Sequence, residues 1–229
     1  MCDPQGEKNT PNTKANRKEP DEKGIQESAD IIRRGGVAAY PTESFYGLGV
    51  DPARESAVER LFQIKRRQRE QPILVLIPSI ETLDFLVRRI PAAARILIQA
   101  FWPGGLTLVF DASDRVPRTI TGGTGKIGIR VSSHPVAASL AGAVGGPITS
   151  TSANLSGKQP CLTAHEVARQ LGRQVDIILD GGTAPGKYAS TVLDVSGDPP
   201  RVLREGMVSR KELQQYIDLP YTKARVAPL

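Results

Sequence analysis

Ile73-Leu74-Val75-Leu76-Ile77 is a continuous apolar run with β-branched members, closed at both ends by Pro72 and Pro78. A run this short, bounded by prolines, has the length of a strand rather than a helix, and it predicts a central strand. The segments around it alternate. Residues 25–32 repeat apolar positions at helical spacing and stop at Gly35-Gly36, and 37–40 read as a short buried strand ended by Pro41. A loop is expected over 42–49 and a helix over 56–66. Helices are expected at 82–89 and 92–100, separated by Pro91, then strands at 106–110 and 127–131. Pro135 opens a small-residue helix to about 143, and a strand follows at 148–150. A helix over 163–171 carries a Thr163 cap with Glu166 at its third position. Strands at 175–179, 190–195 and 202–203 precede a closing helix at 209–216. No period repeats, so the chain is an α/β or α+β sheet protein.

At 229 residues the chain suits one globular domain with room for a sizeable core. Residues 1–23 are dominated by Asn, Pro, Lys and Glu with charges that roughly cancel, which predicts a disordered arm. The domain is then expected over 24–219, with a tail at 220–229. No apolar run approaches the roughly 20 residues of a membrane helix, and the N-terminus has no signal-peptide core, so no membrane partner and a cytoplasmic location are expected. Cys2 and Cys161 imply no disulfide framework, and His134 and His165 join no Cys/His cluster, so no metal site is expected. Nothing ties Cys161 to a histidine base. A net charge of +6 favours polyanionic partners, from nucleotides to RNA, but equally describes a mildly basic surface.

Two segments carry the chemistry. Lys65-Arg66-Arg67-Gln68-Arg69 lies where the second helix gives way to a loop, and helical geometry would put Lys65 and Arg69 on one face. Read alone it is also a solvated helix end that complements the macrodipole. The arginine bias favours phosphate or carboxylate held bidentately. The other segment, Thr149-Ser150-Thr151-Ser152-Ala153-Asn154-Leu155-Ser156-Gly157, supplies small hydroxyl and amide donors. A site for a triphosphate and a small polar acid needs both kinds of group. The loop after the first strand adds the hydroxyls of Thr42 and Ser44, with Gly47 and Gly49 allowing close backbone approach, although an ordinary glycine-containing turn reads the same way. There is no Walker A sequence, dinucleotide fingerprint, serine elbow or acidic metal cluster. What remains is chemistry by positioning: cations and donors that orient reactants and neutralise developing phosphate charge.

Seven motifs then occur in order. They are Pro41-Thr42-Glu43-Ser44-Phe45-Tyr46-Gly47-Leu48-Gly49, Lys65-x-Arg67, Trp102-Pro103-Gly104-Gly105-Leu106-Thr107, Gly128-Ile129-Arg130-Val131, Ser152-Ala153-Asn154-Leu155-Ser156-Gly157, Ser190-Thr191-Val192-Leu193-Asp194 and Leu203-Arg204-Glu205-Gly206. Over roughly residues 25 to 217 the chain resembles the threonylcarbamoyl-AMP synthase family, with its YrdC-like domain, in the single-domain short form. The resemblance implies a twisted mixed sheet with flanking helices, curved around a positively charged cavity. It implies a nucleotidyltransferase that forms L-threonylcarbamoyladenylate and pyrophosphate from L-threonine, bicarbonate and ATP. That product serves N6-threonylcarbamoyladenosine modification at tRNA position 37. ATP would be a substrate, with Mg2+, and no cofactor would be tightly bound. The product would be handed to threonylcarbamoyl transferase machinery, and direct tRNA binding stays open.

Carried over position by position, Ser44, Arg130, Ser150 and Ser190 would surround threonine, with Thr42 beside them. Lys65, Arg67, Gln71, Ser152, Asn154 and Arg204 would hold ATP, with Lys65 and Arg67 as the catalytic pair. The chain departs from the family pattern at Gln68, Gln71, Leu76 and Ser132. Leu76 stands where some long-form members place a histidine against threonine, and Ser132 replaces a frequent proline. Two other readings remain: an RNA-binding or ribosome-assembly protein using the same basic cavity, and a paralogue without threonine activation.

Overall fold

The computed structural model describes residues 16–220. Its elements run β1 (Arg17–Lys18), α1 (Glu22–Arg33), β2 (Ala38–Pro41), β3 (Tyr46–Gly49), α2 (Glu55–Lys65), β4 (Val75–Leu76), α3 (Leu83–Leu86), α4 (Ala92–Phe101), β5 (Leu106–Asp111) and α5 (Arg118–Thr121). They continue with β6 (Lys126–Arg130), α6 (Pro135–Val144), β7 (Ile148–Thr149), β8 (Thr151–Ser152), α7 (Ala164–Leu171), β9 (Ile177–Leu179), β10 (Thr191–Asp194), β11 (Arg201–Arg204) and α8 (Arg210–Leu213). The strands form two mixed sheets, ordered β1-β9-β2-β3-β8 and β11-β10-β5-β6-β4-β7. The predicted α/β class and mixed pairing hold, with the strands divided between two sheets.

The proline-bounded run lies inside the larger sheet, where β4 pairs with β6 in parallel and with β7 in antiparallel fashion. Its ladder is shorter than the apolar run. The Ile73 amide instead donates to the Ile120 carbonyl at 2.9 Å and the Ile77 amide to the Arg130 carbonyl at 3.0 Å. The expected loop over 42–49 is corrected. Residues 46–49 form β3 and pair with β2, which leaves a hairpin turn over 42–45. Glycine belongs in this strand because it passes over the Tyr40 ring. A Cβ on Gly49 would stand 2.8 Å from that ring.

The predicted arm is also corrected at its inner end. Arg17 and Lys18 pair with Ile178 and Leu179, and the Asp21 carboxylate caps α1 by accepting from the Gly24 amide at 2.7 Å. Composition weighs side chains, whereas a parallel ladder and a cap need only backbone groups and one carboxylate. The rest of the arm, residues 1–15, lies outside the described residues, as do 221–229 of the tail.

Two clusters make the interior. Ile25, Ala29 and Ile32 of α1 join Leu140 of α6 and the Tyr40 ring in one. Val58, Leu61 and Phe62 of α2 join Leu108 and Phe110 of β5 in the other. Each buried Ile, Leu, Val or Phe among them contributes about 1.5–3 kcal/mol. Among the described residues no helix is long and apolar enough to cross a membrane.

Candidate active site

The turn between β2 and β3, the segment after α2, the end of β6, the start of β10 and the end of β11 face one cleft. Its accessible volume is about 190 Å3, and it opens to solvent at its mouth. Its walls come from both sheets. The chain passes between them at Ser150, the single residue separating β7 in one sheet from β8 in the other. The Ser150 amide donates to the Leu74 carbonyl at 2.7 Å, which fixes this crossing against the run that leads into β4.

Arg67, Arg130 and Arg204 all line the cleft, and no acidic residue does. Their placement follows from local structure. Helix α2 buries a stripe that includes Leu61 and Lys65, then ends at Arg66, whose φ of 52° turns the chain into the left-handed region. Lys65 therefore points inward and Arg67, one residue beyond the break, turns to the cleft. The expected pairing of Lys65 and Arg69 on one helix face is corrected for the same reason. Arg69 lies past the helix and reaches Glu59 instead.

Arg67 donates from one terminal nitrogen to the Pro72 carbonyl at 2.8 Å, while its buried Nε has no partner. Burial, then the charge of Arg204, lowers its pKa. Arg204 donates to the Ser190 carbonyl at 3.0 and 3.2 Å, and burial lowers its pKa too. Arg130 is pushed down to about 10, first by burial, so it remains cationic at neutral pH. Buried cations with an unfilled donor and one another's repulsion are stabilised by an arriving anion.

The opposite wall is made of hydroxyls. Ser44 and Thr42 lie 3.1 Å apart, oxygen to oxygen, and the Thr42 hydroxyl donates to the Phe45 carbonyl at 2.7 Å. The Ser190 hydroxyl accepts from Thr107 at 2.9 Å and lies 3.3 Å from Arg204. Gly206 must be glycine for this corner to form, because a Cβ there would sit 2.1 Å from the Ala189 carbonyl oxygen.

Of the residues expected from sequence, Thr42, Ser44, Arg67, Arg130, Ser150, Ser152, Ser190 and Arg204 meet in the cleft. Lys65, Gln71 and Asn154 do not line it. Lys65 is 3% exposed and lies beneath the β8 turn. Its ammonium donates to the carbonyl of Ser152, to the carbonyl of Asn154 at 2.9 Å and to the Asn154 side-chain oxygen at 3.4 Å. Burial, then Arg67, lowers its pKa to about 7. Asn154 donates to the Leu155 and Lys158 carbonyls at 2.9 and 2.7 Å, and Ser152 donates back to its side-chain oxygen. These two residues shape the turn that presents Ser152. Gln71 sits at the half-exposed foot of the strand run, where its amide meets Gln68.

Sequence reasoning placed Glu43 within a motif but gave it no role. Its carboxylate forms an ion pair with Arg130 and accepts from the Ser132 hydroxyl. A carboxylate directly before a site serine was the available signal. Leu76 lines the cleft as an apolar contact, as its position in the departure from the family pattern implied.

These features define an α/β protein whose cleft is lined by three arginines and a row of hydroxyls, one of the arginines paired with Glu43. The family described as Telomere recombination, the Sua5/YciO/YrdC domain, matches residues 30–206, and the chain belongs to it. A threonylcarbamoyl-AMP synthase of Pyrococcus abyssi is 40% identical over 84% of this chain and 57% of its own length. One from Vibrio cholerae is 40% identical over 80% of this chain and 97% of its own. The crystal structure of P. abyssi Sua5 complexed with L-threonine superposes with a TM-score of 0.84 at 39% identity, over 88% of this chain and 59% of that one. The chain thus spans little more than half of the Pyrococcus relative and nearly all of the Vibrio one.

Proposed function

We propose that this chain is a threonylcarbamoyl-AMP synthase, forming L-threonylcarbamoyladenylate and pyrophosphate from L-threonine, bicarbonate and ATP. The observation that carries the reading is the convergence of Arg67, Arg130 and Arg204 on one hydroxyl-lined cleft without an acid. The relatives' names agree with it, as does the L-threonine complexed with P. abyssi Sua5.

The geometry suits two steps. The threonine amine bonds to the carbon of bicarbonate with loss of water, giving a carbamate. A carbamate oxygen then bonds to the α-phosphorus of ATP as the bond to pyrophosphate breaks. Arg67 and Arg204 hold the phosphates and neutralise the charge that gathers on the leaving pyrophosphate. Arg130 faces the threonine carboxylate, and Ser44, Ser150 and Ser190 offer hydroxyls to the amino acid, with Thr42 orienting Ser44. Ser152 reaches the nucleotide. Lys65 and Asn154 serve from beneath by fixing that turn, and Gln71 acts at the entrance. This order of groups brings amine, carbon and phosphorus together by positioning alone.

Among the described residues no group of three or more His, Cys, Asp or Glu side chains gathers. Mg2+ held by the phosphates of ATP would add to the charge neutralisation that Arg67 and Arg204 supply there. The product passes to transferase machinery for tRNA position 37, in the cytoplasm. The test is pyrophosphate release. It is expected only when ATP, threonine and bicarbonate are all present, with the adenylate detected by mass spectrometry. Equal release without threonine would sink the assignment. Tight, steeply salt-dependent RNA binding without turnover would favour the RNA-binding reading instead.

A further inference from the structure

The three cleft arginines are not equivalent. Among the described residues Arg67 and Arg204 have no acidic partner, whereas Arg130 is paired with Glu43. Glu43 is itself held: its second carboxylate oxygen accepts from the Ser132 hydroxyl, which in turn accepts from the His134 amide at 3.2 Å. The pair is almost dry, with side chains 7% and 10% exposed. Arg130 lines the cleft and Glu43 stands behind it. One end of the cleft thus carries uncompensated positive charge, and the other carries a guanidinium whose charge is already balanced.

We infer that Glu43 is a specificity-determining residue, which keeps phosphate away from the amino-acid end of the cleft by neutralising Arg130 from behind. The inference rests on the proposed reaction, in which a polyphosphate and a zwitterionic amino acid share one cavity. A net-neutral zwitterion loses little when the pocket is neutral, because its carboxylate still meets the arginine donors while its ammonium meets no excess positive charge. A phosphate dianion is repelled by Glu43 twice as strongly as a monoanion at the same distance. Arg204 presses on Arg130 with like charge, so a bare Arg130 would join the other two as a third phosphate ligand. Discrimination then comes from the repulsion built behind one arginine, with the attractive contacts left alike at both ends.

Inorganic phosphate is the probe. Calorimetric titration of L-threonine into the full chain is run with and without saturating phosphate. In the parent, phosphate binds at Arg67 and Arg204 and leaves the threonine Kd within about twofold. In Glu43→Gln, which keeps the shape and an acceptor for Ser132, phosphate becomes competitive with threonine and raises its apparent Kd about tenfold or more. Adding Arg130→Gln to that variant abolishes the new phosphate site. Competition between phosphate and threonine in the parent overturns the inference, and this arm decides the matter if Glu43→Gln does not fold. A folded Glu43→Gln protein that gains no phosphate site also overturns it. If threonine binds neither protein, with or without a non-hydrolysable ATP analogue, the proposed function fails. The gain of phosphate in Glu43→Gln, and its loss with Arg130→Gln, then still reports whether Glu43 governs the anion preference.

Discussion

Lys65→Met separates a group that touches ligand from one that builds the site. Methionine keeps the length of the buried stem and removes the ammonium. The carbonyls of Ser152 and Asn154 then lose their donor in a place where Lys65 is 3% exposed. Each buried acceptor left unsatisfied costs about 1–3 kcal/mol. Against this, the protein no longer buries a cation beside Arg67. At pH 10, where that unfavourable charge is largely relieved, the expectation is a loss of about 2–3 kcal/mol, or roughly 4–12 °C in Tm for a chain of this size. Arg67→Met makes the contrast. It gives up one hydrogen bond to Pro72, removes an unpartnered Nε and relieves the repulsion with Arg204. Its stability should stay within about 1 kcal/mol of the parent, while nucleotide binding falls by roughly thirty- to a thousandfold. The assay is thermal and urea unfolding of both variants beside calorimetric titration of a non-hydrolysable ATP analogue. If Lys65→Met keeps the parent's Tm and loses nucleotide affinity as Arg67→Met does, Lys65 reaches the phosphates directly and the positioning role is refuted.

Lys65 also gives a pH signature. Folding lowers its pKa from 10.5 to about 7, so the unfolded chain holds the proton more tightly between those values. Its unfavourable contribution is fully present below pH 7 and is relieved as pH rises toward 10.5. Parent stability, measured against Lys65→Met by urea unfolding, should therefore climb by up to about 1.4 kcal/mol per pH unit in that window. Arg130→Ala should abolish calorimetric threonine binding with nucleotide binding less affected, and Arg67→Ala should do the reverse; threonine is titrated with and without the ATP analogue in case binding is ordered. Gly206→Ala drives a methyl into the Ala189 carbonyl, so it should cost about 1–3 kcal/mol in urea and raise the threonine KM by displacing Ser190. Deleting residues 1–23 removes β1 and the Asp21 cap, and should lower stability by at least about 1 kcal/mol in urea unfolding.

Much of this architecture was legible from local pattern. The Pro72 and Pro78 brackets located a strand with neighbours on both sides, and the Thr163 cap with Glu166 at its third helical position forms the reciprocal capping box expected. The division into two sheets was not legible, because it depends on Ser150 passing the chain from one to the other, and a single serine carries no periodic signal. Residues 46–49 were expected as loop because Gly47 and Gly49 were read as positions of close backbone approach or of an ordinary turn. The need for glycine came from Tyr40, a partner on the neighbouring strand. Lys65 was read by its charge, while its place on the same buried stripe as Leu61 already pointed it inward. Seven of the cleft residues lie in the ordered motifs, and Ser150 came from the polar segment just before one of them. Their motifs record which side chains recur together, but not which of them stand a layer behind, as Lys65, Asn154 and Glu43 do.

The Ser150 crossing bears on how much the protein tolerates change in length. Thr149 is tied to the end of β3 in the smaller sheet, its hydroxyl donating to the Leu48 carbonyl at 3.1 Å and accepting from the Val50 amide at 3.0 Å. Beyond the crossing, the Ala153 amide donates to the Tyr46 carbonyl at 2.7 Å. One added residue between 149 and 152 would slip the register of β8 and take Ser152 off its Gly47 partner, moving its hydroxyl from its place in the cleft. Loop 42–45 is held as well, because Glu43 pairs with Arg130 and the Ser44 carbonyl accepts from the Gly186 amide at 2.7 Å. For anyone regrafting this cleft to accept a different amino acid, side chains are what to vary, and the hairpin turn and the serine crossing are both places to keep every residue in count.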